Sequence, residues 1–395
     1  MRLSSLPLNG LHVLDCSRVL AGPFATMLLA DLGADVIKLE PPSGDESRGW
    51  GPPFWGDPAE RMSAYFSAVN RNKRSIVVDL RTDAGRELLD RLASRADLLV
   101  HNARPSSASR LGLSAERLAV QHPELVVAVV GGFASTGPDA ERPAYDLLAQ
   151  AVSGLMAVTG EPDGEPMKVG VALLDLLAGL EVAVGALAAL LGRWNGSSVP
   201  KQIDVALVEA SVGSLINVLA NLLAGGGEPQ RYGNAHPNIV PYQVFAAQDG
   251  HLAIAVGNDA QFARLVEILR LPPDLRHATN AERLANRADL VPQLAAAIAG
   301  WQRDALVAAL DEADVPAGPV NSVSEALASM ESADPGWVKR AGEMRLAPDP
   351  IRVDGERLPL RRRPPRLGEH TVEVLREAGL DPDHIASLKA SGVIA

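Results

Sequence analysis

Five short apolar or β-branched runs, Leu11 to Leu14, Asp35 to Leu39, Ser75 to Val78, Leu98 to Val100 and Leu125 to Val130, alternate with segments of helical periodicity. That alternation predicts Rossmann-like units with a parallel sheet. Gly22-Pro23 opens and Gly33 closes a helix between the first two runs, because proline suits a first turn and glycine a helix end. Thr82 or Asp83 can cap the next helix, on which Leu88, Leu89, Leu92, Ala93 and Ala96 form one apolar face.

The pattern changes past Gly192. Lys201 to Leu223 reads as one long helix, stopped by Gly225-Gly226-Gly227-Glu228-Pro229. Gln243 to Ala247 and Leu252 to Val256, joined through Asp249-Gly250, predict an antiparallel hairpin. Asp259 to Leu271, Ala281 to Gly300 and Gln302 to Asp314 read as helices. The expected organisation is a Rossmann-like large domain over 1–200, a linker helix over 201–224 and a small α+β domain over 225–325. Residues 326–395 form a linker and a C-terminal return to the large domain, with an extended Arg361-Arg362-Arg363-Pro364-Pro365 stretch before a last helix near Thr371 to Ala378.

Composition narrows the class. At 47% hydrophobic and 22% charged residues, the 395-residue chain has enough apolar material for more than one core. A formal net charge of -11 and 4% aromatic residues argue against broad nucleic-acid binding. Cys16 stands alone, so no intrachain disulfide can form, and the N-terminus lacks a signal-peptide pattern; a cytoplasmic protein is expected. The longest apolar run, Val169 to Gly192, contains Asp175 and Glu181, which favours a buried core helix over a membrane span.

Asp175 is the conspicuous candidate for chemistry. It is an acid within Lys168-Val169-Gly170-Val171-Ala172-Leu173-Leu174-Asp175-Leu176-Leu177-Ala178-Gly179, where desolvation is expensive unless the charge is paired or used. It reads either as a nucleophile or base, or as a first-turn residue satisfied by backbone amides. Other chemistries lack their signatures: no G-x-G-x-x-G turn, no P-loop, no H-E-x-x-H or Cys/His grouping for a metal, and no first glycine before Ser153 for a nucleophile elbow.

Several separated blocks, in order, resemble the class III CoA-transferase family of formyl-CoA transferase and carnitine CoA-transferase type. They are Leu14-Asp15-Cys16-Ser17-Arg18-Val19-Leu20-Ala21-Gly22-Pro23, Asp31 to Glu40, Asn70-Arg71-Asn72-Lys73-Arg74-Ser75, Thr136-Gly137-Pro138, Tyr145-Asp146 to Gly154, Thr159-Gly160 and Gly170 to Gly179. The resemblance implies an interlocked homodimer with Asp175 as the nucleophile. It implies CoA or acyl-CoA as a substrate, with no permanently bound cofactor and no membrane or nucleic-acid partner. By family position Val78, Arg81, Asn102, Arg110 and Leu111 match CoA contacts, and Val19, Ala21, Tyr145 and Asp146 surround the thioester end. Arg71, Lys73, Arg74 and Arg104 are further candidate phosphate partners. Where family members place an arginine near the adenine, this chain has Pro41-Pro42.

A carboxylate nucleophile suits transfer of CoA between acids, since attack on an acyl-CoA gives an anhydride that the freed thiolate can open to an aspartyl-CoA thioester. Helix-start amides, with Gly170 and Gly179 allowing close approach, are the expected oxyanion donors. Gly233-Asn234 is followed by Ala235-His236-Pro237 rather than a glycine run, and Leu20 replaces a glutamine. These departures point away from oxalate and toward members that pair succinyl-CoA with dicarboxylic acids such as glutarate, itaconate, malate or citramalate. The alternatives are a formyl-CoA:oxalate-type transferase and an α-methylacyl-CoA racemase. Racemases carry a histidine where this chain has Tyr145, whose ordinary pKa near 10 makes it a poor base.

Overall fold

Six short strands pair in parallel, the central ones buried on both faces and the edge strand β6 only in part: β1 (His12–Asp15), β2 (Asp35–Glu40), β3 (Lys73–Val77), β4 (Leu98–His101), β5 (Val126–Gly131) and β6 (Ile203–Ala206). Val13, Val36, Val77, Val100 and Val127 are fully or almost fully buried along it. The computed structural model describes residues 6–58, 61–200 and 202–395. Spatial order is β3-β2-β1-β4-β5-β6, so the order reverses between β1 and β4. Open α/β sheets bind ligands beyond the strand ends at such a switch point.

Helices α1 (Ala21–Asp31), α2 (Asp83–Ala93), α3 (Pro105–Leu111), α4 (Asp146–Val152), α5 (Leu173–Trp194) and α6 (Leu207–Ser214) surround the sheet. Thr82 caps α2 by accepting the Gly85 N–H at 3.0 Å, and Leu88, Leu89, Leu92 and Ala93 are its buried face. Helix α5 packs against α1 and β5 through Leu174, Ala178, Val182, Ala186 and Leu190. It is not the wholly buried core helix expected: Leu180, Val184, Leu191 and Trp194 form an exposed apolar side. By length and composition α5 is the one helix among the described residues that could cross a membrane.

The single helix expected over Lys201 to Leu223 is instead β6, α6 and α7 (Ile216–Leu223), with Lys201 outside the described residues. Ile203 and Val205 find an open sheet edge beside β5, with Val130 opposite Val205 and Gly131 opposite Ala206, and the ladder outweighs helical periodicity.

The backbone divides into two compact units, one taking the chain up to Gly154, Val169–Ser214 and Gly336–Ala395, the other Leu155–Lys168 and Leu215–Pro335. In the second unit an antiparallel hairpin, β7 (Tyr242–Ala246) and β8 (His251–Ala255), gains a third strand, β9 (Ala317–Pro319), beside β8. Helices α8 (Asp259–Ile268), α9 (Asn280–Ala285), α10 (Arg287–Ile298) and α11 (Arg303–Glu312) accompany it, so the expected Ala281 to Gly300 helix is broken at Asn286.

The C-terminal stretch returns to the first unit. The backbone N–H groups of Arg361 and Arg362 donate to Asn72 Oδ1 at 2.6 and 2.8 Å. Two helices follow, α12 (Thr371–Glu377) and α13 (Pro382–Ala390), where the sequence suggested one, and Asp79 N–H donates to Val393 O at 2.8 Å.

Candidate active site

Asp175 stands in the first turn of α5, two residues past Leu173, and is partly buried. Among the described residues no hydrogen bond reaches its carboxylate, so the backbone-satisfied reading of this acid does not hold. Burial, and then the neighbouring Asp146 carboxylate, push the Asp175 carboxyl up to about 7. Asp146 takes what Asp175 lacks. Its Oδ2 accepts the Leu174 N–H at 2.8 Å and its Oδ1 accepts from Gln150 Nε2 at 2.5 Å, while Gln150 Oε1 accepts the Val169 N–H at 2.8 Å. The Leu173 amide donates to Val171 O at 2.8 Å. These two helix-start amides are therefore engaged rather than aimed at an oxyanion. Gly179 does permit a close approach, since a Cβ there would meet Ala21 O at 2.7 Å and Phe24 Cδ1 at 3.0 Å; Gly170 has open space around it.

Facing this turn, Tyr65 sits edge-on to Trp50 with ring centroids 5.0 Å apart. Burial, then Asp175, Asp146 and Asp45, push its phenol up to about 12, so it is a neutral hydrogen-bonding group near the carboxylate pair.

The loop after β1 is held from below by buried charges. Lys38 Nζ lies 3.0 Å from Asp45 Oδ2 and donates to Ser17 O at 2.9 Å, with both side chains wholly buried. Lys73 Nζ donates to Asp15 Oδ2, Pro23 O and Asn70 Oδ1 at 2.8–2.9 Å. Burial opposes the Asp15 charge, but Lys73, Lys38 and Ser17 outweigh it and hold its carboxyl well below the usual range. Above this base Val19 adopts φ +73°, a conformation costly for a β-branched residue, and its N–H donates to the Asp45 carboxylate at 3.2 Å. Asn102 clamps the neighbouring residue by accepting the Arg18 N–H at 3.0 Å and donating to Arg18 O at 2.8 Å.

Two cavities open at the strand ends. A groove of about 920 Å³ is lined by Val78, Arg81, Asn102, Arg110 and Leu111 together with Pro41 and Pro42. A second, of about 720 Å³, is lined by Val19, Glu46, Arg142 and Tyr145; Arg18, Asn102, Ala103 and Arg104 border both. Ala21, Asp146 and Asp175 line neither, and Ala21 is buried as the first residue of α1.

A match to the sequence model of CoA-transferase family III spans residues 8–371. The chain belongs to this family.

A succinate–glutarate CoA-transferase of Agrobacterium fabrum is 42% identical, with 94% of this chain and 95% of that protein covered. An acetyl-CoA:oxalate CoA-transferase of Acetobacter aceti is 37% identical over 94% and 95% of the two chains. Among solved structures, a CAIB/BAIF family protein from Brucella suis is 43% identical and superposes with a TM-score of 0.83, covering 94% of this chain and 99% of that one. The protein is a CoA-transferase whose substrates are CoA thioesters.

Set in this CoA-transferase, the candidate phosphate cations divide. Arg71 is buried against Asp31 at 2.5 Å, Lys73 against Asp15 at 2.9 Å, and Arg74 is held by Asp35, Glu373 and Glu377. All three lie at or just before the start of β3 rather than at its end, so the expectation that they meet phosphates is corrected: they are structural ion pairs. Arg81 is exposed and forked onto Asp79 at 2.7 and 2.8 Å. Arg110 donates to Ser107 Oγ at 3.2 Å, and Arg104 to Glu141 O at 3.2 Å. Ser153, already without the elbow motif, is buried with its Oγ 2.6 Å from Ser211 Oγ. Gln150, Asp45 and Tyr65 escaped the sequence reading. Gln150 alone had a visible signal, its spacing of four residues from Asp146 on one helix face.

Proposed function

We propose that the protein moves CoA from a dicarboxylic acyl-CoA of the succinyl-CoA kind to a second dicarboxylic acid through an aspartyl-CoA thioester on Asp175. The observation that carries this reading is Asp175 itself, an acid in the first turn of α5 that accepts no hydrogen bond among the described residues and is made more basic by burial and then by Asp146. A less solvated, more basic carboxylate is the better nucleophile. It attacks the thioester carbonyl and expels CoA thiolate, giving a mixed anhydride. The thiolate then attacks the enzyme-side carbonyl, releasing the donor acid and leaving the aspartyl thioester. The acceptor carboxylate repeats these steps in reverse and restores Asp175. The groove bearing Arg81, Arg110 and Asn102 is the proposed CoA site, with Val78 and Leu111 along its walls and Val19 and Tyr145 toward the thioester.

Dicarboxylic acids are supported by the two relatives, whose names contain glutarate and oxalate. The Ala235-His236-Pro237 sequence supports the longer acid over oxalate. The proposed assembly is an interlocked homodimer, supported by the exposed apolar side chains of α5 and by Ile216 and Leu223 on α7.

The test is trapping. Enzyme mixed with succinyl-CoA and no acceptor should accumulate an adduct, which hydroxylamine converts to a hydroxamate on the peptide containing Asp175. Asp175→Asn should bind CoA and fail to transfer it. Labelling of Asp146 instead, or near-normal turnover by Asp175→Asn, would overturn the mechanism. A panel of glutarate, itaconate, malate, citramalate and oxalate as acceptors, read by mass spectrometry, tests the substrate class.

A further inference from the structure

Gln150 is wholly buried on α4, one turn beyond Asp146. Its amide has only one orientation that satisfies both neighbours. The Val169 backbone N–H can only donate, so the atom facing it at 2.8 Å is Oε1, and the NH2 group is turned to Asp146 Oδ1. The Leu174 N–H meets the other Asp146 oxygen. Both oxygens of Asp146 thus act as acceptors. The chain of bonds runs from Val169 through Gln150 and Asp146 to Leu174, closing the segment that leads into Asp175.

We infer that Gln150 is a positioning residue for CoA transfer, which fixes the negative charge of Asp146 and the first turn of α5 against which the Asp175 nucleophile works. The inference rests on the reading of Asp175 given above. Charges from other directions do not compete for this role. Of the elements packed on α5, α1 carries Asp31, tied to Arg71; β6 carries Asp204, which accepts from Ser135 at 3.2 Å; α6 carries Glu209, which is exposed; and β5 has no ionisable side chain. Burial and the charges of Asp175, Asp146 and Asp45 keep Tyr65 a neutral phenol, so it adds no charge here. The field that raises Asp175 therefore comes from Asp146, after burial itself.

Two substitutions separate this role from simple packing because one removes the donor to Asp146 and the other restores it. Gln150→Leu removes the donor that holds Asp146, so Asp175 loses a carboxylate fixed beside it. The acid limb of kcat/KM should move down by about half a pH unit or more, with kcat lowered about tenfold and KM for succinyl-CoA within about twofold. Gln150→Glu keeps an acceptor for Val169 and, with one proton held between two carboxylates in contact, restores a donor to Asp146, so the limb should return close to the parent's. A structural role alone would lower stability or activity in both variants and leave the limb in place, and that result would overturn the inference. Should Gln150→Leu fail to fold, Gln150→Met, of similar volume and without a donor, decides alone: a downward limb supports the assignment and an unmoved one refutes it. Hydroxylamine labelling of the parent enzyme keeps the premise separate, since a labelled Asp175 with unmoved limbs sinks only the role of Gln150.

Discussion

Two carboxylates with different surroundings divide the work at residue scale. Asp146 holds two N–H donors, whereas Asp175 holds none and is pushed up to about 7 by burial and then by Asp146. As a nucleophile Asp175 must be ionised, so kcat/KM for succinyl-CoA should fall about tenfold per pH unit below about 7 and level off above it, as a pH-rate profile would test. The stability consequence has the opposite sign. The folded protein binds the Asp175 proton more tightly than the unfolded chain does, so this group's contribution is present below about pH 4 and lost as pH rises through about 7. Asp175→Asn should therefore melt higher than the parent at pH 8, by about 1–2 kcal/mol after allowance for solvent screening, and show no gain at pH 4 in parallel thermal scans. Among the cations, Arg110 is the freer phosphate partner because Arg81 must share its fork with Asp79. Arg110→Ala should weaken CoA binding by about tenfold or more in calorimetry, and Arg81→Ala by less. Equal losses would show that the Asp79 pair opens on binding.

Two helices meeting at glycine set the geometry at the scale of elements. Helix α5 approaches α1 so closely that a Cβ at Gly179 would fall 2.7 Å from the Ala21 carbonyl oxygen, which is backbone and cannot swing aside. Gly179→Ala gains up to about 1 kcal/mol of helix propensity but must separate the helices. We expect a net loss of about 1–3 kcal/mol in denaturant unfolding, together with reduced transfer, since the displaced helix carries Asp175 in its first turn. A variant as stable as the parent would mean that α1 can retreat at little cost. The α5 start and the Val19 loop are legible only in part from sequence. Glycines mark the first, but nothing in the order of residues announces that Lys38 and Asp45 pair beneath the second or that Asn102 clamps Arg18.

For the whole molecule, the exposed apolar faces bear on assembly. Val184, Leu191 and Trp194 on α5, and Ile216 and Leu223 on α7, are more than half exposed apolar residues on long faces, which single chains rarely leave in water. The expected outcome is a dimer in analytical ultracentrifugation down to nanomolar concentration, with activity lost on dissociation. A folded, active monomer would refute it.

The sequence by itself determined the sheet strands up to Val130, the hairpin of the second unit, a cap at Thr82 or Asp83 and the candidacy of Asp175. These rest on local periods, turn chemistry and an isolated acid in an apolar run, all of which are properties of neighbouring residues. Only the tertiary structure decided that Ile203–Ala206 is a strand, that Arg71, Lys73 and Arg74 are buried ion pairs, and that Asp146 rather than Asp175 receives the helix-start amide. Each depends on a partner far along the chain: Asp31 for Arg71, Asp15 for Lys73, and β5 for the sixth strand. A cation reads the same in sequence whether it awaits a phosphate or is already neutralised, because what distinguishes the two is a carboxylate that only folding brings within reach.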